Sequence, residues 1–358
     1  MPDHGVGTTD SKDALLAKAA AAAEPMPGVG DMASYLRAYY RHVGVEDLGA
    51  AGPDRIAAVA LAQAQLAVSR PQGRALVEVR PGGGASLDPS SYVIDIVTDD
   101  MPFLVDSITM ELANRDLSAR LVIHPQLRVR RDVTGALHEV AGTASAGQVN
   151  AGQPSHDELA ESWTHIEIPA LAGGEAEAVA EDLRRVLGDV RVAVEDYPRM
   201  RARALSLADD VLAREAAPAG GADSPAEIAE LLHWLADGRF TFLGYREYQL
   251  TSGPDGMSLS AVPGTGLGIL RHDRVGPGSF ALLPDELKAR ALGPQRLIVT
   301  KANSRSTVHR PSYLDYVAVK KLSADGAVVG EYRFLGLFTH AAFAESIKGI
   351  PVLRRKLA

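Results

Sequence analysis

The chain has 358 residues, a formal charge of −8 at neutral pH, 46% hydrophobic residues and no cysteine. That length holds two or three domains with real cores, and the lack of cysteine excludes disulfides and thiolate metal sites and favours a cytoplasmic home. The acidic balance, with no long run of Lys or Arg, argues against nucleic acid and membranes as partners, and no segment has the apolar length of a membrane span.

Residues 1–30 are rich in Ala, Gly and Asp with only weak helical character over 11–23, and they read as a mobile tail closed by the breaker PMPGVGD. LLAKAAAAAEPMPG lacks the basic start and apolar centre of a signal peptide. Two short amphipathic helices are expected over 31–73. Tyr35, Leu36, Tyr39, Tyr40 and Val43 form the apolar face of the first, and Ile56, Val59, Ala60, Ala64 and Ala67 that of the second, which starts at Pro53-Asp54. Helices this short need something to pack on. Residues 75–80 then alternate like an edge strand before the Pro81-Gly-Gly-Gly turn.

The periodicity changes twice within residues 91–131. Tyr92, Ile94 and Ile96 alternate with Val93, Asp95 and Val97 as in a strand; Leu104, Ile108 and Leu112 then recur at helical spacing, with Met101 and Val105 widening the stripe. Asp100 is placed to cap this helix, and Pro102 falls in its first turn. After Asp116 the period returns to two, with Leu121, Ile123, Leu127 and Val129 on one face and His124, Gln126, Arg128 and Arg130 on the other. The polar stretch 132–161 reads as an insertion. Next come a strand over 162–168, with Trp163, His165 and Glu167 on its polar side, a helix over 175–187, and a strand marked by Val190, Val192 and Val194. The order β-α-β-β-α-β over 75–198 is a ferredoxin-like α+β unit, two helices on one face of an antiparallel sheet.

A helix-like connector, 199–223, leads to a second α+β domain over 224–340. Ser224-Pro225 starts a helix carrying Ile228, Leu231, Leu232 and Leu235; strands are expected over 240–250 and 257–262, then an irregular middle, then strands over 296–301, 313–322 and 328–339. Two strands, a mixed middle and three strands is the element order of PAS-like sensor domains, in which five antiparallel strands form one sheet. Residues 341–358 read as the start of a helical segment that stops mid-pattern.

Spacing alone yields no catalytic constellation. Gly264-Thr-Gly-Leu-Gly268 is too short for a dinucleotide fingerprint and reads as a turn. His124 and His165 fall on polar strand faces without a ligand-like partner in the same element, so no metal is expected; His124 and Arg128 are candidates for a subunit interface. Arg128, Arg130 and Arg131 read as a solvated strand face. His309 reads as a loop anchor. Capping and the helix dipole account for Asp99 and Asp100.

The ferredoxin-like unit resembles an ACT domain, the amino-acid-sensing module of many metabolic enzymes, whose first loop carries an acidic residue followed by Pro-Gly-Leu. Here that loop is Asp100-Met101-Pro102-Phe103-Leu104. In combination, TDDMPFLVDSITMEL, VIHPQLRVRRD, GRFTFLGYREY, VHRPSYLDYVAVKK and GEYRFLGLFT resemble the N-terminal region of the large bacterial NAD-dependent glutamate dehydrogenases. The resemblance implies a much longer parent chain that deaminates L-glutamate to 2-oxoglutarate and ammonia. It places the NAD-binding fold and the catalytic lysine in a C-terminal part, a partner to this segment, which itself carries no cofactor. It also implies that an amino-acid effector sits beside Asp100, Met101, Pro102 and Phe103. Phe103 departs from the family's glycine and places a ring where that ligand would lie. Two expectations follow for the segment: allosteric, with an effector biasing distant catalysis, or architectural, with sheet edges and polar strand faces building a homo-oligomer.

Overall fold

The computed structural model describes residues 6–49, 51–144, 158–213, 223–253, 256–272, 280–282 and 293–356. It divides into two compact units, Met1–Leu187 and Gly188–Ala358. Among the described residues, no helix is long and apolar enough to cross a membrane.

The first unit opens with four helices, α1 (Val6–Ala22), α2 (Met32–Tyr39), α3 (Val45–Gly49) and α4 (Pro53–Leu66). The mobile tail expected over 1–30 is corrected by α1, whose Leu16 and Ala19 are buried in the core with Leu36, Ile56 and Ala60. Lys12 adds a polar tie, its Nζ donating to the carbonyls of Tyr40 (2.7 Å) and Val43 (2.6 Å) just after α2. Such a lysine satisfies carbonyls that a helix end leaves without partners. Asp31 caps α2, accepting from the Ser34 amide at 2.8 Å.

The sheet contains β1 (Leu76–Pro81), β2 (Tyr92–Asp99), β3 (Leu121–Ile123), β4 (Gln126–Arg131), β5 (Leu137–Thr143) and β6 (Glu158–Ile168). Its order is β1-β2-β6-β4-β5, with β3 also on β6 and every pair antiparallel. β3 and β4 together replace the single strand expected over 121–130; Pro125, which has no N–H for the ladder, lies between them. β5 corrects part of the insertion expected over 132–161, and residues 145–157 lie outside the described residues.

Between β2 and β3 runs α5 (Leu104–Asn114), and after β6 runs α6 (Glu175–Ala213). α6 overturns two expectations, the strand at 190–194 and a separate connector from 199. The buried residues Val179, Leu183, Val186, Val190 and Ala193 keep three- and four-residue spacing straight through the valines, so burial overrides their β preference. With residues 190–194 taken into α6, the sheet edge beside β2 is filled by β1.

The two sheet faces have different covers. Ile94, Ile96, Ile166 and Ile168 are fully buried on the face that α5 and α6 occupy; the two helices are tied by Arg115, which donates to Asp182 and to the Ala178 carbonyl (3.2 Å). Ile108, the fully buried centre of the α5 stripe, is a direct test of that face. Ile108→Asp is expected to lower unfolding free energy by about 4 kcal/mol or more, because an ionised carboxylate would have no partner there. An unchanged melting temperature would show that the stripe is wrongly placed.

The opposite face carries Val97 and Trp163, which share a core with the N-terminal helices. Tyr35 meets Trp163 edge-on, with ring centroids 6.2 Å apart. The hydroxyls of Tyr35 and Tyr40 donate to the carbonyls of Ala60 (2.7 Å) and Ile56 (2.8 Å), and Tyr39 donates to Gln63, whose amide reaches the Ile96 carbonyl at 3.1 Å. These bonds let three phenols pack in an interior, where burial holds their pKa values well above the usual tyrosine range.

The second unit follows with α7 (Pro225–Trp234), capped by Ser224, which accepts from the Glu227 amide. Its strands are β7 (Phe240–Gly253), β8 (Gly256–Ala261), β9 (Leu267–Gly268), β10 (Phe280–Leu282), β11 (Leu297–Arg305), β12 (Tyr313–Leu322) and β13 (Val328–Phe338). They form one antiparallel sheet in the order β10-β8-β7-β13-β12-β11, with β9 on β7. Met200, Ala204 and Leu207 of α6 and Ile228 and Leu232 of α7 share its core with Phe240, Phe242, Val317 and Phe334. Residues 254–255, between β7 and β8, lie outside the described residues. The helical segment expected from 341 on begins with a short helix, His340–Ala344, and resumes at Leu353–Lys356.

Candidate functional site

Asp100, Met101, Pro102 and Phe103 link β2 to α5. Asp100 does not cap the helix. α5 starts at Leu104 with Phe103 in the cap position and no side-chain cap, so Pro102 lies before the first turn. Phe103 has φ +73°, the left-handed conformation that suits glycine and strains a residue with a Cβ by about 1 kcal/mol. The backbone therefore takes a glycine-like path even though the residue is aromatic. The Phe103 carbonyl is held by the amide of Ser107 (3.0 Å) and its hydroxyl (2.6 Å).

Beside the loop stand polar groups from two strands. Gln126 Nε2 donates to both carboxylate oxygens of Asp100, at 3.1 and 3.2 Å, and the Asp100 amide donates to the Ala160 carbonyl at 2.9 Å. His124 lies 2.6 Å from Ser162 Oγ; burial lowers its pKa, with the Asp100 carboxylate opposing. The structure thus brings His124 to the loop, where it is half-buried and bonded within the chain. Arg128 stands further along β4, about half exposed, with its guanidinium 3.8 Å from Glu158.

Sequence reading missed the charges on the helix-covered face. Glu161 is fully buried and accepts from Arg70 Nε (2.9 Å) and Nη2 (2.6 Å), Arg131 Nε (2.6 Å) and Nη2 (2.9 Å), and Trp163 Nε1 (2.8 Å). Arg70 also reaches Asp99 at 2.7 Å, and Arg131 the carbonyls of Ala67 (2.7 Å) and Gly135 (2.9 Å). Arg131 is thus part of the core and not solvated. Gly135 is needed for this approach. At φ +89°, it sits so that a Cβ would meet the Arg70 carbonyl oxygen at 2.4 Å.

A second chain of charges runs along the same face. His165 is fully buried, with Nδ1 2.7 Å from Asp95 Oδ1 and Nε2 3.5 Å from Glu167 Oε1. Arg80 donates to the other Asp95 oxygen at 2.6 Å, and Glu167 accepts from the amides of Leu87 and Asp88, fixing the approach to β2. Burial alone would lower the His165 pKa, but the Asp95 and Glu167 carboxylates outweigh it and raise it to about 9. Both histidines expected on polar strand faces are therefore interior or half-interior groups. Among the described residues, no group of three or more His, Cys, Asp or Glu can hold a metal ion.

The residues that build this loop and the sheet around it match a known family model. Residues 35–183 match the family described as "Glutamate dehydrogenase, ACT1 domain". Over those residues the chain is similar to that domain. The chain is also similar to the NAD-specific glutamate dehydrogenase of Pseudomonas aeruginosa (36% identity over 268 residues) and that of Halomonas elongata (34% over 269). A third relative, from Mycobacterium tuberculosis, is 30% identical over 276 residues. The alignments cover 74–75% of this chain but only 15–16% of those proteins. The matched residues include all four loop residues, both buried charge networks and the two interface candidates.

Proposed function

We propose that this chain is a regulatory N-terminal segment of a large NAD-dependent glutamate dehydrogenase, in which the ACT1 loop binds an amino acid and biases catalysis carried out elsewhere in the parent chain. The parent reaction converts L-glutamate, NAD and water to 2-oxoglutarate, ammonia and NADH. Its NAD site, its catalytic groups and its homo-oligomeric cytoplasmic setting belong to this proposal. The observation that carries the effector reading is the left-handed Phe103 ahead of a helix that no side chain caps. First-turn amides there suit an α-carboxylate, while the Asp100 carboxylate, steadied by Gln126, suits an α-ammonium. PAS-like character in the second unit is part of the same reading, supported by its single antiparallel sheet.

Calorimetric titration of the chain with the common amino acids tests the proposal. One of them is expected to give saturable heat that disappears in Asp100→Ala. Phe103→Gly removes both the ring and the left-handed strain, so it is expected to bind that amino acid more tightly and to melt no lower than the parent. Absence of heat with every amino acid in both proteins, together with a concentration-dependent oligomer in sedimentation, would transfer the segment to the architectural reading.

A further inference from the structure

The Gly264-Thr-Gly-Leu-Gly268 run, a turn by sequence, lies across from the second half of α6 and closes a cavity of about 330 Å3 with it. Arg199, Arg203 and Ser206 line one side; Gly264, Thr265 and Leu267 line the other. Among the described residues no carboxylate lines this cavity. Arg199 and Arg203 are one helical turn apart, so their side chains rise from the same face.

The cavity is built before any ligand arrives. Asp196, almost fully buried, accepts from Arg199 Nη1 (3.0 Å), from the Gly268 amide (2.8 Å) and from Arg271 Nε (2.8 Å). One carboxylate therefore holds both walls, the arginine on the helix and the end of the glycine run. Thr265 locks the other end, its hydroxyl donating to the Val262 carbonyl (2.7 Å) and accepting from the Glu247 amide (3.2 Å). Gly266 shows how close the packing behind the loop is. A Cβ there would lie 2.2 Å from the Leu270 carbonyl oxygen and 3.2 Å from Arg246 Nε, so a third guanidinium stands behind the run. Arg203 is exposed and forms no hydrogen bond or ion pair with the described residues, acting on Tyr245 only through space.

We infer that this cavity is a binding site for a small phosphate monoester, with the phosphoryl group held between Arg199 and Arg203 and Ser206 donating to it. Arg199 shares its charge with Asp196 behind the wall, whereas Arg203 has no acid partner among the described residues, and the two planar forks match the oxygens of a dianionic phosphoryl group. The volume exceeds what a bare phosphate fills and lies at the lower end of ordinary small-molecule sites. The inference is independent of the amino-acid reading of the ACT1 loop, since its ligand and its residues are different.

Titration of the whole chain with inorganic phosphate at constant ionic strength tests it, with glycerol 3-phosphate and succinate as comparison ligands. Phosphate is expected to bind saturably, glycerol 3-phosphate to compete and bind more tightly, and succinate to bind more weakly than phosphate. Arg203→Ala, at an exposed helix position that leaves the fold intact, is expected to weaken phosphate about tenfold or more, and Arg203→Lys to weaken it less, since it keeps the charge but loses the fork. No saturable phosphate binding, an unchanged affinity in Arg203→Ala, or succinate binding more tightly than phosphate would each overturn the assignment.

Discussion

Glu161→Ala is expected to destabilise the first unit by about 3–5 kcal/mol, the range found when one partner of a buried ion pair is removed. The loss comes less from the missing attraction than from what is left behind. Arg70 and Arg131 are both buried and share this one carboxylate, and of the two it is Arg70 that also reaches Asp99. Arg131 would keep two carbonyls but no counter-charge, and the Trp163 N–H would lose its acceptor. Denaturant unfolding followed by tryptophan fluorescence reads the change, since Trp163 reports on this site. A loss below about 1 kcal/mol would put the pair in the class of solvent-screened surface bridges and contradict the burial described above.

The second large effect is a stability that falls in alkaline solution. His165 rises from 6.5 to about 9 in the folded chain, so the native state holds its proton where the unfolded state gives it up. The contribution is fully present below pH 6.5 and is lost as pH climbs through 9. The shift corresponds to about 3 kcal/mol in all. Unfolding free energies of the parent and of His165→Gln, measured from pH 6 to pH 9.5, should converge at the alkaline end. A constant difference between the two across that range would show that His165 is neutral in the fold.

Where a segment buries one face, its period was readable. β2 and α5 match the alternation of Ile94 and Ile96 and the spacing of Leu104, Ile108 and Leu112, and β12 runs over the expected 313–322. Local preference misled where tertiary packing decided. Val190, Val192 and Val194 look like a strand, yet only Val190 of the three is buried, and it belongs to the helical series of α6. α1 showed only as weak helical character over 11–23, because alanine buries with so little side chain that no clear stripe appears; Ala19 is fully buried all the same. Trp163, His165 and Glu167 were a harder case. Polar residues alternating along a strand read as solvated, and nothing local says that a second layer will cover them and supply partners. The signal lay at long range, in Tyr35, Tyr39 and Tyr40 on one short helix needing a surface to pack on. The loop at Asp100–Phe103 was legible as a place but not as a conformation: the left-handed turn at Phe103 follows from the backbone path between β2 and α5, which an aromatic residue does not advertise.

The helical cover has a consequence for modularity. The family match begins at residue 35, inside α2, whereas Leu16 and Ala19 of α1 lie in the same apolar core as Trp163. A cassette cut at that border and grafted between relatives would lose α1 and the Lys12 tie, baring the alanine-lined surface that α1 covers. The transferable unit is larger than the matched one: it must carry α1 with the sheet, and exchange of the β2–α5 loop alone, within residues 100–103, is the graft that leaves this cover undisturbed.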